Sequence, residues 1–128
     1  MLDSAPQSTS EVIRRTMAFI IDRMPTAWQC APTTAESTPS DQRIDATIDI
    51  TAPDGRQTRL VIEGKKLVDR RDVPQIAKQL RAYSESGDVP ILAGRYLSPS
   101  VREALIDREI SYVDATGNMR ITSSSPAI

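Results

Sequence analysis

The chain has no histidine, a single cysteine, and only three lysines among its sixteen basic residues. Without histidine there is no Ser-His-Asp or Cys-His catalysis and no histidine-bearing zinc site. Cys30 alone forms neither an intramolecular disulfide nor a cysteine-rich metal cluster. Any active site must therefore draw on carboxylates, Lys, Tyr, Gln or hydroxyl groups. No apolar run approaches the roughly 20 residues a membrane helix needs. The opening MLDSAPQSTSEVIRR also lacks the basic-then-apolar order of an export signal, so the expectation is a soluble, cytoplasmic protein. A large charge of either sign is missing too: the net charge is −1 and the isoelectric point lies near 5.4. Along the chain the balance is uneven. Residues 56–81 carry eight basic against three acidic side chains, 1–55 carry four against eight, and 82–128 carry four against six. The middle segment is a candidate phosphate-facing strip, although a solvated charged face is the commoner fate of such a run.

What is present is enough for one domain of 128 residues. Ser8-Thr9-Ser10-Glu11 fits a capping box, and Ile13, Met17, Ile20, Ile21 and Met24 then recur at helical spacing until Pro25. Residues 26–42, rich in Pro, Ser and Thr and without periodicity, predict a loop that Trp28 pins to the core. Ile44, Ala46, Ile48 and Ile50, then Leu60 and Ile62, alternate with polar residues around Ala52-Pro53-Asp54-Gly55-Arg56. That is a β-hairpin with a three-residue loop and a G1 bulge, in which Ala52 faces Arg56. Asp72 and Gln75 are expected to cap a second helix lined by Val73, Ile76, Ala77, Leu80 and Tyr83 and ended by Gly87. Residues 89–93 read as a buried parallel strand, Ser98-Pro99 as the start of a third helix, 110–113 as a strand, and 119–121 as a short last one. Val101 and Leu105 of the third helix, with Ile106 as a further candidate, face inward. Residues 122–128 read as a tail. The order α-β-β-α-β-α-β-β with right-handed crossovers predicts an α/β fold, a mixed sheet with flanking helices.

In the predicted hairpin register, Asp45 stands across from Glu63, with Lys65 two residues along on the same side. Arg43, Thr47 and Asp49 share that face with Arg59 and Val61. Opposed carboxylates repel unless a cation lies between them. Hard oxygens on a sheet suit Mg²⁺, which takes one or two protein carboxylates and leaves other positions to water and phosphate. Lys65 beside such a cation could hold or deprotonate an attacking water and stabilise charge on phosphorus. Against this, cross-strand Asp, Glu, Lys and Arg pairs are also what any solvated hairpin face carries. In a chain with thirteen Arg, however, Lys65 departs from the overall preference at a place where a compact, titratable ammonium is chemically preferable.

Asp45, a hairpin, Glu63-Gly64-Lys65, then a helix carrying Gln79-Leu80-Arg81-Ala82-Tyr83 and a parallel strand resemble the PD-(D/E)xK, or restriction-endonuclease-like, nuclease superfamily. The Q-x-x-x-Y spacing is similar to its RecB-like branch. The resemblance covers roughly residues 10–95. It implies a Mg²⁺- or Mn²⁺-dependent hydrolase of DNA phosphodiesters. Asp45 and Glu63 would hold the metal with the Gly64 carbonyl as a further ligand, Lys65 would orient water, and Gln79 and Tyr83 would assist at the phosphate. Arg43, Arg59, Lys66, Arg70 and Arg71 are candidate DNA-backbone contacts, which position without reading sequence. Two positions depart from the family pattern: Ile44 replaces the proline before the aspartate, and Gly64 replaces an apolar residue. Asp49 is the alternative acidic ligand should the turn register differ. Glu11 resembles a helix glutamate that some members add to the site.

The segment 92–121 is similar to bacterial nuclease-like proteins in which such a domain precedes a winged-helix DNA-binding region. DNA is the expected partner and a membrane is not, with a fused or associated winged helix absent from this sequence, and a homodimer, as further candidates. Asp114 and Asn118 flank a tight turn, and side-chain hydrogen bonds that form the turn are the expected role for them. The competing functional expectation is a non-catalytic DNA- or protein-binding module of the same fold, in a transcriptional regulator or defence system.

Overall fold

The apolar stripe of the first helix needs a surface to cover it, and the first strands supply one. In the computed structural model, which describes residues 9–34 and 45–122, α1 runs Thr9–Arg23 with Val12, Ile13, Met17 and Ile20 buried. Ser8 of the expected capping box, together with Arg43 and Ile44, lies outside the described residues. The loop predicted over 26–42 is partly a strand instead: Gln29–Thr34 form β1. This strand sits at the sheet edge and pairs antiparallel with β2, Ala46–Thr51. An edge strand uses only one row of backbone groups, so it tolerates Pro32. Cys30 is the hydrophobic side chain of β1 that packs on the core among the described residues, which leaves no apolar alternation to detect. Trp28 packs against the same core, as expected.

β2 and β3, Gln57–Lys65, form the hairpin in the expected register, from Thr51↔Gln57 to Ala46↔Ile62. The turn has the expected chemistry. Gly55 takes φ 87°, its N–H donates to the Ala52 carbonyl at 2.9 Å, and Ala52 N–H donates to the Arg56 carbonyl at 2.8 Å. Beyond β3, a single 3₁₀ turn at Arg70–Asp72 leads into α2, Val73–Glu85. Asp72 does not cap α2 as expected. Its Oδ2 reaches back to accept from Asp69 N–H at 2.9 Å, so the carboxylate serves the 3₁₀ turn one turn earlier.

β4, Val89–Gly94, returns parallel to β3, and α3, Pro99–Asp107, crosses to β5, Ser111–Asp114, parallel to β4. Ser98 Oγ accepts from Val101 N–H at 3.3 Å, capping α3 as expected. Ile106 turns outward at 40% exposure, and Ala104 joins Val101 and Leu105 on the buried side. β6, Met119–Arg120, closes the sheet antiparallel to β5. The result is a mixed six-stranded sheet in sequential order β1-β2-β3-β4-β5-β6 with three helices.

The two faces of the sheet are covered differently. α1 packs on Ile48, Ile50, Ile62, Ile91 and Val113, while α2 and α3 pack on Leu92 and Tyr112. Because Glu63 is in register with Leu92 on the neighbouring strand, Glu63 and Lys65 belong to the α2–α3 face. Strand β3 is therefore buried on both sides at Leu60, Val61 and Ile62, all 0% exposed. Each such side chain contributes roughly 1.5–3 kcal/mol. No helix among the described residues is long and apolar enough to cross a membrane.

Candidate functional site

The site is built at the carboxyl ends of the parallel strands. Glu63 and Lys65 occupy the last turn of the pleat in β3, and Lys65 pairs in register with Gly94 at the end of β4. Glu63 is 6% exposed, and Lys65 is half-buried. The face expected to be solvated is thus covered where Glu63 lies, because a strand with a parallel neighbour has helices packed on it.

Asp45 stands one residue before β2. A continued ladder would set it opposite Glu63, but its N–H donates to the Ile62 carbonyl at 3.0 Å, and Ile62 is the residue in register with Ala46. The chain steps out by one residue here. The Asp45 carboxylate meets the β3 backbone, where Oδ2 accepts from Gly64 N–H at 2.7 Å. Directly opposed Asp and Glu side chains would repel. The slip relieves that repulsion, gives Asp45 a donor, and still keeps its carboxylate beside the residue between Glu63 and Lys65.

Gly64 also explains how close α1 comes. A Cβ at this position would lie 2.7 Å from Ile13 Cδ1 and 3.2 Å from Thr9 Cγ2, so the first turn of α1 rests on the glycine. Glu11 belongs to that turn and is half-buried. Asp49, the alternative acidic ligand, is removed from the site by the observed register: it pairs with Arg59, whose Nε donates to Oδ1 at 2.8 Å. That pairing holds the Arg59 guanidinium above its ordinary value, chiefly through the hydrogen bond.

Gln79 and Tyr83 stand one turn apart on α2 and are both half-buried, Tyr83 against the α2–α3 core. They share the layer that covers Glu63. The basic strip is partly neutralised by its own neighbours. Arg56 is 2.8 Å from Asp54, and Arg71 is 3.5 Å from Asp69. Arg70 Nη1 donates to the Ser100 carbonyl at 3.1 Å, tying the 3₁₀ turn to α3, while Lys66 is exposed.

Among the described residues no three Cys, Asp or Glu side chains gather into a ready metal cluster. Asp45 and Glu63 are instead a two-carboxylate set flanking Gly64. Hard oxygens in that number fit Mg²⁺, which completes its shell with water and phosphate. Gly64 N–H engages only one of the Asp45 oxygens.

A third carboxylate, apart from that pair, organises the same end of the sheet. Asp114, at the end of β5, is 0% exposed, and its two oxygens accept from Leu97 N–H at 2.9 Å, Asn118 Nδ2 at 2.9 Å, Thr116 N–H at 3.0 Å, Thr116 Oγ1 at 2.7 Å and Asn118 N–H at 3.1 Å. Burial alone pushes its carboxyl up, but these donors, led by Leu97 N–H, outweigh burial and hold it below the ordinary value. The turn-forming role expected for Asp114 and Asn118 is present. The bond to Leu97, 17 residues away, is the part that local sequence does not reveal.

Comparison of the chain with protein-family models, with curated proteins and with solved structures gives no match.

Proposed function

We propose that this chain is a nuclease-like domain of the PD-(D/E)xK, restriction-endonuclease-like kind, hydrolysing DNA phosphodiester bonds with Mg²⁺ or Mn²⁺. The observation that carries this reading is the 2.7 Å bond from Gly64 N–H to Asp45 Oδ2, which brings the carboxylate of one strand to the middle of Glu63-Gly64-Lys65 on the next. Asp45 and Glu63 would hold the cation, with the Gly64 carbonyl as a further oxygen. Bound there, the cation would supply Lewis-acid polarisation of the phosphate. Lys65 orients the attacking water and meets the charge that develops on the phosphoryl oxygens. Gln79 and Tyr83 act from the α2 layer on the phosphate. The helix directions support an anionic substrate at this end, since α2 and α3 both begin here, after β3 and β4, and helix N-termini carry partial positive charge.

Calorimetric titration of the protein with Mg²⁺ and Mn²⁺ tests the metal site. Binding by the native chain and its loss in Asp45→Ala and Glu63→Ala is the expected result; equal weak binding in all three proteins refutes it. Cleavage of supercoiled and single-stranded DNA in either metal tests the chemistry, with Lys65→Ala as control. Cutting that survives Lys65→Ala belongs to a contaminant.

A non-catalytic module of the same fold, binding DNA or a protein partner, is the second reading. It is favoured by the structural use of Asp45 Oδ2 and by the missing three-carboxylate cluster among the described residues. It predicts DNA retention without cleavage in any metal. Negligible DNA affinity even at low salt would leave a protein-interaction role for the polar face.

A further inference from the structure

Three large apolar side chains among the described residues are exposed, and two of them lie at one end of the sheet. Leu67 is 82% exposed and Tyr96 is 52% exposed. Each follows by two residues one member of the register pair Lys65↔Gly94, so both chains leave the sheet side by side at the candidate site. Each is preceded by a cation, Lys66 or Arg95. Single exposed hydrophobes are ordinary on protein surfaces, so position alone would decide little.

The support beneath Tyr96 decides more. The next residue, Leu97, is 0% exposed, and its N–H is bound by the buried Asp114 carboxylate at 2.9 Å. The Leu97 side chain lies over Gly94, where a Cβ would come within 2.7 Å of Leu97 Cδ2. Ala115 N–H donates to the Gly94 carbonyl at 3.0 Å, closing the same junction. A buried, five-donor carboxylate therefore fixes the backbone that holds an aromatic ring out toward solvent. Rigid presentation of a ring costs little side-chain entropy when a ligand covers it.

We propose that Tyr96 is a base-stacking platform at the rim of the Lys65 site, and that the nucleic acid held there is single-stranded. The inference rests on the nucleic-acid reading of that site and goes further by naming the strand state. Bases in a duplex hide their faces against each other, whereas an unpaired base can offer its face to Tyr96 while Lys66 and Arg95 meet the flanking phosphates. Aromatic stacking with cationic support is how single strands are generally held without sequence preference.

The test is fluorescence anisotropy in EDTA at low salt, with a short labelled oligothymidine and a blunt duplex of equal length. The native chain is expected to prefer the single strand. Tyr96→Ala should weaken that binding about tenfold, equivalent to about 1.4 kcal/mol, within the range for one stacked base. Duplex binding should stay unchanged, and Tyr96→Phe should retain the preference. Lys66→Ala should weaken both ligands alike. Equal loss on both DNAs in Tyr96→Ala, no loss, or Tyr96-dependent capture of polyglutamate in place of DNA overturns the proposal. Because the assay contains no metal, a failed Mg²⁺ titration and a failed strand preference are separate results.

Discussion

Asp114 is the residue whose removal should cost most for a polar side chain, because its carboxylate is 0% exposed and accepts five hydrogen bonds. Hydrogen bonds to charged groups are worth about 1.5–3 kcal/mol each, but bonds sharing one acceptor group do not add. The cost of Asp114→Ala is therefore set at about 3–5 kcal/mol, more than one hydrogen bond to a charged group and well below the sum of five. At this chain length that lowers the thermal midpoint by roughly 10–15 °C. Asp114→Asn keeps the shape but turns an amide nitrogen toward N–H donors, so it should cost about 2–3 kcal/mol. The two proteins should also differ in acid. The Asp114 carboxyl is held below its ordinary value of 3.8 in the fold. Its stabilisation is thus complete above that value and is lost as pH falls through the lower, folded one. Urea midpoints measured at pH 7 and at steps down to pH 3 should show the gap between native and Asp114→Asn proteins narrowing only at the acid end. A gap at pH 7 under about 0.5 kcal/mol, or one that does not change with pH, would refute the reasoning.

Two further substitutions probe the backbone. Glu109 holds φ 58° just past the α3 cap residue Arg108, where Ile110 N–H returns to the Leu105 carbonyl at 2.9 Å. Glu109→Gly should stabilise the fold by about 0.5–1 kcal/mol, the left-handed cost less the extra flexibility of glycine. A lower urea midpoint in that variant contradicts it. Gly64→Ala should destabilise by about 1–3 kcal/mol through overpacking against α1, since its Cβ would meet Ile13 Cδ1 at 2.7 Å. Adding Ile13→Val, which removes that atom, should recover part of the loss; simple additivity of the two changes would show that the contact is not the cause.

The hairpin was legible because two signals agree on one register: apolar residues at even positions have only one side to bury, and Pro53-Asp54-Gly55 fixes the loop length. A one-residue shift of β2 would have moved Ile48 and Ile50 together out of the core. β1 offered no such constraint. Among the described residues it pairs on one side only, and Cys30 is its one hydrophobic side chain packed on the core, so little in its sequence had to alternate. Asp72 departs from its expected role for a related reason. Asp69 and Asp72 are both acceptable near a helix start, and local composition does not say that a 3₁₀ turn intervenes.

The site was legible in its order and less so in its contacts, and Asp45 shows why. Spacing along a hairpin assigns each residue a face only while the ladder continues. Asp45 lies one residue beyond Ala46, the last ladder pair with β3 among the described residues, and is itself polar, so no buried apolar side chain at that position holds the register. The backbone can then settle the repulsion between Asp45 and Glu63 by giving Asp45 the N–H of Gly64. Glycine is also the residue that lets α1 lie against this point, so one position serves both the helix packing and the carboxylate. A bulkier residue between Glu63 and Lys65 would push α1 away and disturb the donor that holds Asp45. Gly64 thus ties the acidic pair to the packing of α1, and a change in α1 should reach the site through it.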